Sequence, residues 1–378
     1  MYYNEEIMQW AEIQLRDAEK KVSRIMLRSE RNFPYAAFGN EWTFASALNE
    51  WTNGFWPGIL WISYLHSGDE KYRLLAEKLE EVLDVPLAAP EDLGHDVGFV
   101  WSLASVANYK ITGNQMAARR AFRAAKSLAS RYNPVGYFRS WNDHEGSDAY
   151  KGLTIVDNMM NLPIMYWAAK NWDCRQAGLD LMAINHSETV LKYMQRPDGS
   201  VNHIIKINPV TGEFEGNSEI TQGKNKDSSW TRGQAWLLYG FALGAKYTGR
   251  QDFLDAAKKT AHYFIAALPE NCVPPSDFRY GDTEPGMDSS AGACAACGLL
   301  ELASLVSDAE KQMYIRWAIK IAKGLCNNCT ASREKENILD HASVQYNTTE
   351  YADVGLIYGD YFYMELLYRL AGGDVLFW

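Results

Sequence analysis

The spacing of apolar residues predicts helices along most of the chain. Leu75, Leu79 and Leu83 recur at every fourth position, which places them on one face of a helix, and similar stripes occur within residues 254–268 and 313–325. Lysine, arginine and glutamate are frequent on the other face. These helices are therefore expected to bury one face and to expose the other to water.

Other helical segments are apolar on nearly every side. They cover residues 57–65, 162–169, 234–245 and 295–306. A helix without a polar face is buried all round, so these segments are expected to be inner helices. They alternate with the amphipathic helices across short turns, which indicates repeated helical hairpins. Six hairpins need about twelve helices, and ~30 residues for each helix with its loop fits a chain of 378 residues. The pattern is compatible with a closed ring and with an open solenoid.

One segment has the alternation of a strand. His203, Ile205 and Ile207 occupy every second position, and a turn containing proline and glycine follows at residues 208–212. This pattern predicts a small β-hairpin within residues 200–214, carried on a loop between helices.

Composition and charge set limits on organisation and partners. No linker rich in glycine, serine or proline interrupts the chain, so residues 1–378 are expected to form a single domain. The net charge of −10 disfavours nucleic acid, and an acidic ligand would need a local cation in a pocket. The sequence has no apolar core of a secretory signal and no run of about 18 apolar residues. We therefore expect a cytoplasmic protein that binds no membrane.

Four of the six cysteines form two CxxC pairs. Two such pairs could hold a zinc ion. However, Cys294 and Cys297 lie in an apolar segment of small residues, whereas zinc pairs usually lie on turns. We interpret Cys294, Cys297, Cys326 and Cys329 as free thiols, and we predict neither a metal nor another cofactor.

Candidate site residues are concentrated just before the apolar helices. In a ring of hairpins, the loops at one end of the inner helices share a single cavity. The sequences at these junctions are WTNGFW from Trp51, HDVGF from His95, IVDN up to Asn158 and SSWTRGQAW from Ser229, with Trp141 between the second and the third.

Asp96 and Asp157 each stand beside apolar residues at such a junction. A helix N-cap would also place an aspartate there. Two aspartates in equivalent positions favour a catalytic pair, because partial burial raises the pKa of a carboxyl group and a second charge raises one of the two further. Such a pair supplies an acid and a base. Asn161 follows Asp157 by one turn, so we expect that helix face to point into the cavity across from Asp96.

Aromatic residues and one arginine at the junctions are candidates for substrate binding. Trp51, Trp141, Trp230 and Trp236 occur there, and aromatic faces at a cavity stack on sugar rings, although most tryptophans are core residues. Arg232 lies between two of them, and its guanidinium would suit a carboxylate. A structural salt bridge is the alternative for this arginine.

The motifs closely resemble those of the unsaturated glucuronyl hydrolases, glycoside hydrolase family 88. The matching stretches are WTNGFWPGILW, HDVGF, IVDNMMNLP, SSWTRGQAWLLYGFAL and DSSAGACAACGLLE, and they occur in this order. The family's fold is an all-α (α/α)6 barrel, so the resemblance implies a closed double ring of about twelve helices. It also implies a glycosidase that removes a 4,5-unsaturated uronic acid from the non-reducing end of acidic oligosaccharides left by polysaccharide lyases.

The resemblance implies roles for individual residues. Asp157 would be the general acid/base and Asp96 the second essential aspartate. The sugar pocket would be lined by Trp51, Phe55, His95, Trp141, His203, Gln222, Trp230, Arg232 and Trp236. The chain departs from the family pattern at Thr221, where members often have histidine, and within residues 345–355, which lack a lysine that some members place near a substrate sulfate. These departures bear on the preferred linkage and sulfation rather than on the reaction.

Three other functions are compatible with parts of the pattern. An unsaturated rhamnogalacturonyl hydrolase shares the fold and the chemistry but acts on pectin fragments, and the HDVGF motif with the second aspartate favours the glucuronyl branch. A sugar 2-epimerase on this kind of barrel would rely on a histidine pair, for which only His95 and His203 are suitably placed. A non-catalytic sugar-binding barrel would need the aromatic residues and the arginine but no perturbed carboxyl groups.

Overall fold

The computed structural model describes residues 4–142, 148–171, 178–281, 285–346 and 351–378. Its helices are α1 (Glu5–Ile25), α2 (Phe55–Ser67), α3 (Glu70–Val82), α4 (Asp84–Ala88), α5 (Val97–Trp101), α6 (Ala107–Thr112), α7 (Gln115–Ala129), α8 (Asn158–Asn161), α9 (Pro163–Asn171), α10 (Leu179–Tyr193), α11 (Thr231–Thr248), α12 (Gln251–Ala267), α13 (Ser289–Leu305), α14 (Asp308–Cys329) and α15 (Ile357–Leu370).

Two pairs of these segments act as single long helices. A π-helical turn, Ser102–Val106, joins α5 to α6, and only Leu162 separates the short α8 from α9. With α4 counted as a single turn after α3, the described residues contain twelve long helices in strict outer–inner alternation. The outer helices are α1, α3, α7, α10, α12 and α14, and the inner ones are α2, α5–α6, α8–α9, α11, α13 and α15.

The inner helices close into a ring. Each packs against the next along the chain, and α15, the last of them, packs against α2, the first. The sequence pattern left a closed ring and an open solenoid unresolved, and this contact decides for the closed (α/α)6 barrel. The predicted fold class is therefore confirmed.

Tight turns connect inner helices to the outer helices that follow them. Gly68 ends α2 with a φ of 70°, and the side chain of Asp69 caps α3 by accepting from the backbone N–H of Lys71. Gly113 and Asn114 have the same roles between α6 and α7. A glycine in the left-handed conformation followed by a capping residue reverses the chain within two residues, which sets each helix pair antiparallel.

Eight short strands lie in the loops between the helices of the described residues. They are β1 (Pro34–Phe38), β2 (Glu41–Phe44), β3 (Tyr132–Asn133), β4 (Tyr137–Phe138), β5 (Leu153–Ile155), β6 (Ile204–Ile207), β7 (Phe214–Asn217) and β8 (Gly355–Leu356). The predicted hairpin is confirmed as β6–β7, and β5 adds a third antiparallel strand to it. The sequence did not predict the β2–β1–β8 sheet or the β3–β4 ribbon.

One large cluster of buried apolar residues runs through the barrel from Ile7 to Trp378. Cys294 and Cys297 are buried within it on α13, and Cys329 is buried on α14. No helix among the described residues combines the length and the apolar character needed to cross a membrane.

Candidate active site

The inner helices begin at the same end of the barrel, and the predicted site residues lie at these helix starts. Asp96 directly precedes α5 and Asp157 directly precedes α8. Both occupy the N-cap position, yet neither side chain accepts a capping hydrogen bond from its helix. The capping role that could have explained both aspartates is therefore not the one that their carboxyl groups perform.

Asn161 brings the two aspartates together. Its Nδ2 donates to Asp96 Oδ1 over 3.0 Å and to the backbone oxygen of Asp157 over 3.2 Å. The close contact of the two helices depends on Gly98, because a Cβ atom there would lie 2.4 Å from the Cα atom of Asn161. This contact confirms that Asn161 lies across from Asp96. The expected opening of this helix face into the cavity stays a prediction, because the Asn161 side chain is fully buried.

Burial shifts both carboxyl groups towards the protonated form. Burial is the main cause that raises the pKa of Asp157 to about 8; the charge of Asp96 adds to the rise, and Arg232 opposes it. Burial also raises the pKa of Asp96 to about 7, while the hydrogen bond from Asn161 and the charge of Arg131 act to lower it. The side chains are still 22% and 14% exposed for Asp96 and Asp157, so a ligand can reach them.

His203 lies beside Asp157. Its Nδ1 accepts from the backbone N–H of Gln222 over 3.1 Å, so the proton of the neutral ring lies on Nε2. Nε2 faces Asp157 Oδ2 at 3.7 Å. Burial and the charge of Arg232 lower the pKa of His203 to about 3, so the imidazole is neutral at physiological pH. The pair is therefore a neutral donor beside a carboxyl group rather than a salt bridge.

His95 has the corresponding position beside Asp96. Its Nε2 lies 3.4 Å from Asp96 Oδ2, and burial lowers its pKa well below the usual value, so this imidazole is also neutral. The ring of Trp141 contacts the His95 ring edge-on, with centroids 5.8 Å apart. Trp141 is half-buried and thus offers part of its surface at the mouth of the site.

The Arg232 guanidinium is paired within the protein, whereas its sequence context predicted a guanidinium that is free to bind a carboxylate. The side chain is 1% exposed, and Nη1 donates to Asp288 Oδ2 over 2.7 Å and to the backbone oxygen of Ser343 over 2.6 Å. Nη2 donates to the backbone oxygen of Val344. The guanidinium also lies 4.4 Å from the ring centre of Trp230. Its charge is therefore neutralised inside the protein, as the structural alternative anticipated, and a direct role in binding a carboxylate remains a prediction.

The predicted aromatic residues divide into a half-buried group at the surface of the site and a fully buried group beneath it. Trp51 and Trp141 are half-buried, whereas Phe55, Trp230 and Trp236 have between 0% and 2% of their surface exposed. The Trp51 ring lies against Phe55 and Phe99, and Phe99 in turn packs against Trp236. Phe55 and Trp236 thus support the site from below, and the structure does not bring Phe55 to its surface. Direct contact of Phe55 with a substrate stays a prediction that its burial disfavours.

Gln222 lies at the rim of the same site. Its Nε2 donates to the backbone oxygen of Val344, which also accepts from Arg232, and its backbone oxygen accepts from the N–H of Tyr346. Arg232 thereby holds the loop that orients Gln222.

Two curated relatives are similar to almost the whole chain. The unsaturated glucuronyl hydrolase of Bacillus sp. (strain GL1) is 34% identical over 372 residues, which cover 96% of this chain and 97% of the relative. The unsaturated chondroitin disaccharide hydrolase of Streptococcus pyogenes serotype M1 is 30% identical and covers 93% of this chain, which spans 89% of that relative. The chain belongs to the unsaturated glucuronyl hydrolase family. A comparison with protein-family models found no match.

The solved structures agree with this membership. The crystal structure of the unsaturated glucuronyl hydrolase from Bacillus sp. GL1, described as responsible for the degradation of glycosaminoglycan, superposes with a TM-score of 0.88 at 32% identity. The superposition covers 96% of each chain. The protein is therefore a glycosidase of this family with the family's α/α barrel.

Sequence reasoning missed two residues of this family member's site. Asp288 precedes α13 and pairs with Arg232, and the Tyr358 ring near the start of α15 lies 5.1 Å from the Arg232 guanidinium. Both positions follow the rule that identified the aspartates, because each adjoins the start of an apolar inner helix. Applying this rule to all six inner helices would have found them.

Two cavities lie at opposite ends of the barrel. One, of about 160 Å³, adjoins Trp51, Asp96 and Val97. A larger one, of about 470 Å³, adjoins Glu301 and Arg369 near the other ends of α13 and α15. The end with the smaller cavity is the candidate active site, because Asp96 adjoins this cavity and both aspartates with raised pKa values precede inner helices at that end.

Proposed function

We propose that this enzyme removes a 4,5-unsaturated uronic acid from the non-reducing end of lyase-generated oligosaccharides of the glycosaminoglycan type. The observation that carries the proposal is the aspartate pair. Asp157 has a raised pKa, does not cap its helix and is joined to Asp96 through Asn161. The degradation of glycosaminoglycan and the cleavage of chondroitin disaccharides, for which two relatives are named, support this substrate class.

The reaction follows from the electronic structure of the unsaturated sugar. The C4=C5 double bond is a vinyl ether, conjugated with the ring oxygen. Asp157 donates its proton to C4, and the positive charge that develops at C5 is shared with the ring oxygen. Water then forms a bond to C5 and returns a proton to the Asp157 carboxylate, so the same residue acts first as an acid and then as a base.

Cleavage occurs after this hydration. The product is a hemiketal at C5, which opens to a ketone at C5 and leaves a hydroxyl group on C1. The resulting hemiacetal at C1 collapses to an aldehyde and releases the next sugar with its hydroxyl group. The anomeric carbon is not attacked directly.

The neighbouring residues suit the two charge states of Asp157 that this series of reaction steps requires. Asp96, ionised, stabilises the positive charge at C5, and its own charge keeps a proton on Asp157. The Nε2–H group of His203 can donate to the Asp157 carboxylate once the proton has left. An epimerase with a histidine pair is disfavoured because His95 and His203 face different aspartates rather than each other.

The test is to incubate the protein with unsaturated disaccharides from chondroitin, hyaluronan, heparin and pectin lyases. Turnover removes the enol-ether absorbance, and saturated disaccharides of the same composition are the control. We expect consumption of at least one glycosaminoglycan disaccharide and none of the saturated ones. Activity confined to the pectin fragment would identify the rhamnogalacturonyl alternative, and binding of every sugar without loss of absorbance would identify a sugar-binding protein.

A further inference from the structure

The amide of Asn161 has only one orientation that satisfies its surroundings. Its Oδ1 accepts from the backbone N–H of Phe99 over 2.8 Å, while Nδ2 donates to Asp96 and to the backbone oxygen of Asp157. The side chain is fully buried, so no water competes. A backbone N–H is always a donor, which fixes Oδ1 on the side of Phe99 and the NH₂ group on the side of Asp96. Rotating the amide would lose all three hydrogen bonds.

In this orientation, the Asn161 amide donates a hydrogen bond to the carboxyl group of Asp96 but not to that of Asp157. An NH₂ group can only donate, and it stabilises an ionised carboxylate more strongly than a protonated one. Asp96 receives this hydrogen bond on its carboxyl group, whereas Asp157 receives one only on its backbone oxygen. Asn161 therefore favours ionisation of Asp96 without favouring ionisation of Asp157.

We propose that Asn161 is the positioning residue that keeps the proton of the aspartate pair on Asp157, by holding Asp96 in its ionised form. The proposal deepens the proposed function and rests on it, since a proton on Asp157 is what the hydration of the double bond requires. It assigns Asn161 no contact with the substrate.

The other groups around the pair do not produce this asymmetry. Each aspartate has one neutral imidazole nearby, His95 for Asp96 and His203 for Asp157. Each also has one arginine that lowers its pKa.

Those arginines are Arg131, which acts on Asp96, and Arg232, which acts on Asp157. Tyr358 also faces Asp157, and it is neutral because burial raises its pKa far above the usual value. The Trp236 side chain also acts on Asp157 and lowers its pKa, which opposes the asymmetry. The hydrogen bond from Asn161 favours the ionised form of Asp96, and the charge of Asp96 in turn raises the pKa of Asp157. The pKa values of about 7 for Asp96 and about 8 for Asp157 agree in direction.

The experiment measures both protonation states directly. The protein is labelled with ¹³C at the aspartate carboxyl carbons, and the signals of the pair are assigned by their loss in Asp96→Asn and Asp157→Asn. Their titration midpoints are then compared between the wild type and Asn161→Leu, which has a similar volume but no amide. The matched control is Asn158→Leu, because Asn158 is equally buried in the same short helix and donates to Thr154 instead of to either aspartate.

Loss of the hydrogen bond in Asn161→Leu is expected to raise the Asp96 midpoint by ~1–2 units, the shift that a hydrogen bond to a charged group produces. The kcat for an unsaturated disaccharide should fall ~10- to 100-fold with KM changed less than about threefold, because the proton then resides largely on Asp96. Asn158→Leu should shift neither midpoint.

Midpoints in Asn161→Leu within ~0.3 unit of the wild type would overturn the proposal, because an effect of one hydrogen bond to a charge is larger than that. If this variant does not fold, Asn161→Ser, whose hydroxyl is too short to reach Asp96, is judged by the same midpoints. The titration needs no substrate. A protein without hydrolase activity would refute the proposed function while leaving the midpoints to decide the role of Asn161.

Discussion

Replacing Arg232 by methionine should destabilise the protein severely. Its ion pair with Asp288 has a distance of 2.7 Å, and the two side chains are 1% and 0% exposed. Methionine fills most of the volume of the arginine, so the main effect is an Asp288 carboxylate left buried without its cation. Removal of one partner of a buried ion pair typically costs ~3–5 kcal/mol. That is a large part of the ~5–15 kcal/mol by which native proteins are stable.

The assay is equilibrium unfolding in urea, followed by tryptophan fluorescence. Arg250→Met is the matched control, because the Arg250 side chain is 31% exposed and pairs with Glu188 and Asp252 at the surface. Exposed pairs contribute ~0–1 kcal/mol, so this control should unfold almost like the wild type. The double variant Arg232→Met/Asp288→Leu should recover much of the lost stability, because it leaves no unpaired charge. A loss below ~1 kcal/mol for Arg232→Met, together with a raised KM, would refute the structural role and restore the carboxylate-binding role that the sequence predicted.

Three further predictions concern the site. The kcat should follow a bell-shaped pH profile: it should fall below about pH 7 as Asp96 gains a proton, and above about pH 8 as Asp157 loses its proton. A flat kcat from pH 5 to 9 would contradict this assignment. His203 should show no titration in ¹⁵N-histidine NMR between pH 5 and 8, because burial lowers its pKa to about 3, whereas a midpoint near the ordinary ~6.5 would mean that the imidazole is charged in the site. Gly98→Ala should lower the free energy of unfolding by ~1–3 kcal/mol and reduce kcat, because the new Cβ atom would lie 2.4 Å from the Asn161 backbone. The control is Gly286→Ala, whose Cβ atom would meet nothing within 4 Å and which should match the wild type in thermal unfolding.

The sequence predicted those parts of the fold that depend on local pattern. Helices with a 3.6-residue period and the β6–β7 hairpin are encoded in neighbouring residues, and both were predicted. The contact of α15 with α2, which closes the ring, joins the two ends of the chain and leaves no local signature. The pairing of the two-residue strand β8 with β1 is equally nonlocal.

The candidate site divides in the same way. Asp96 and Asp157 were predicted because each stands at the start of an inner helix, a property visible in the sequence. The partner of Arg232 was not, because Asp288 lies 56 residues further along the chain and only the packing of α11 against α13 brings them together. The burial that turns Phe55 and Trp236 into supporting residues is likewise a property of the closed ring.

The most direct test of the central claim is the kcat of Asp157→Asn on an unsaturated glycosaminoglycan disaccharide, measured by loss of the enol-ether absorbance. Asparagine preserves the shape of the side chain but cannot donate a proton to C4 or accept one from water. If Asp157 is the general acid/base, kcat falls at least ~100-fold below that of the wild type, with the disaccharide still bound and the barrel folded. Near-native turnover by this variant on every unsaturated disaccharide that the wild type consumes would contradict this role.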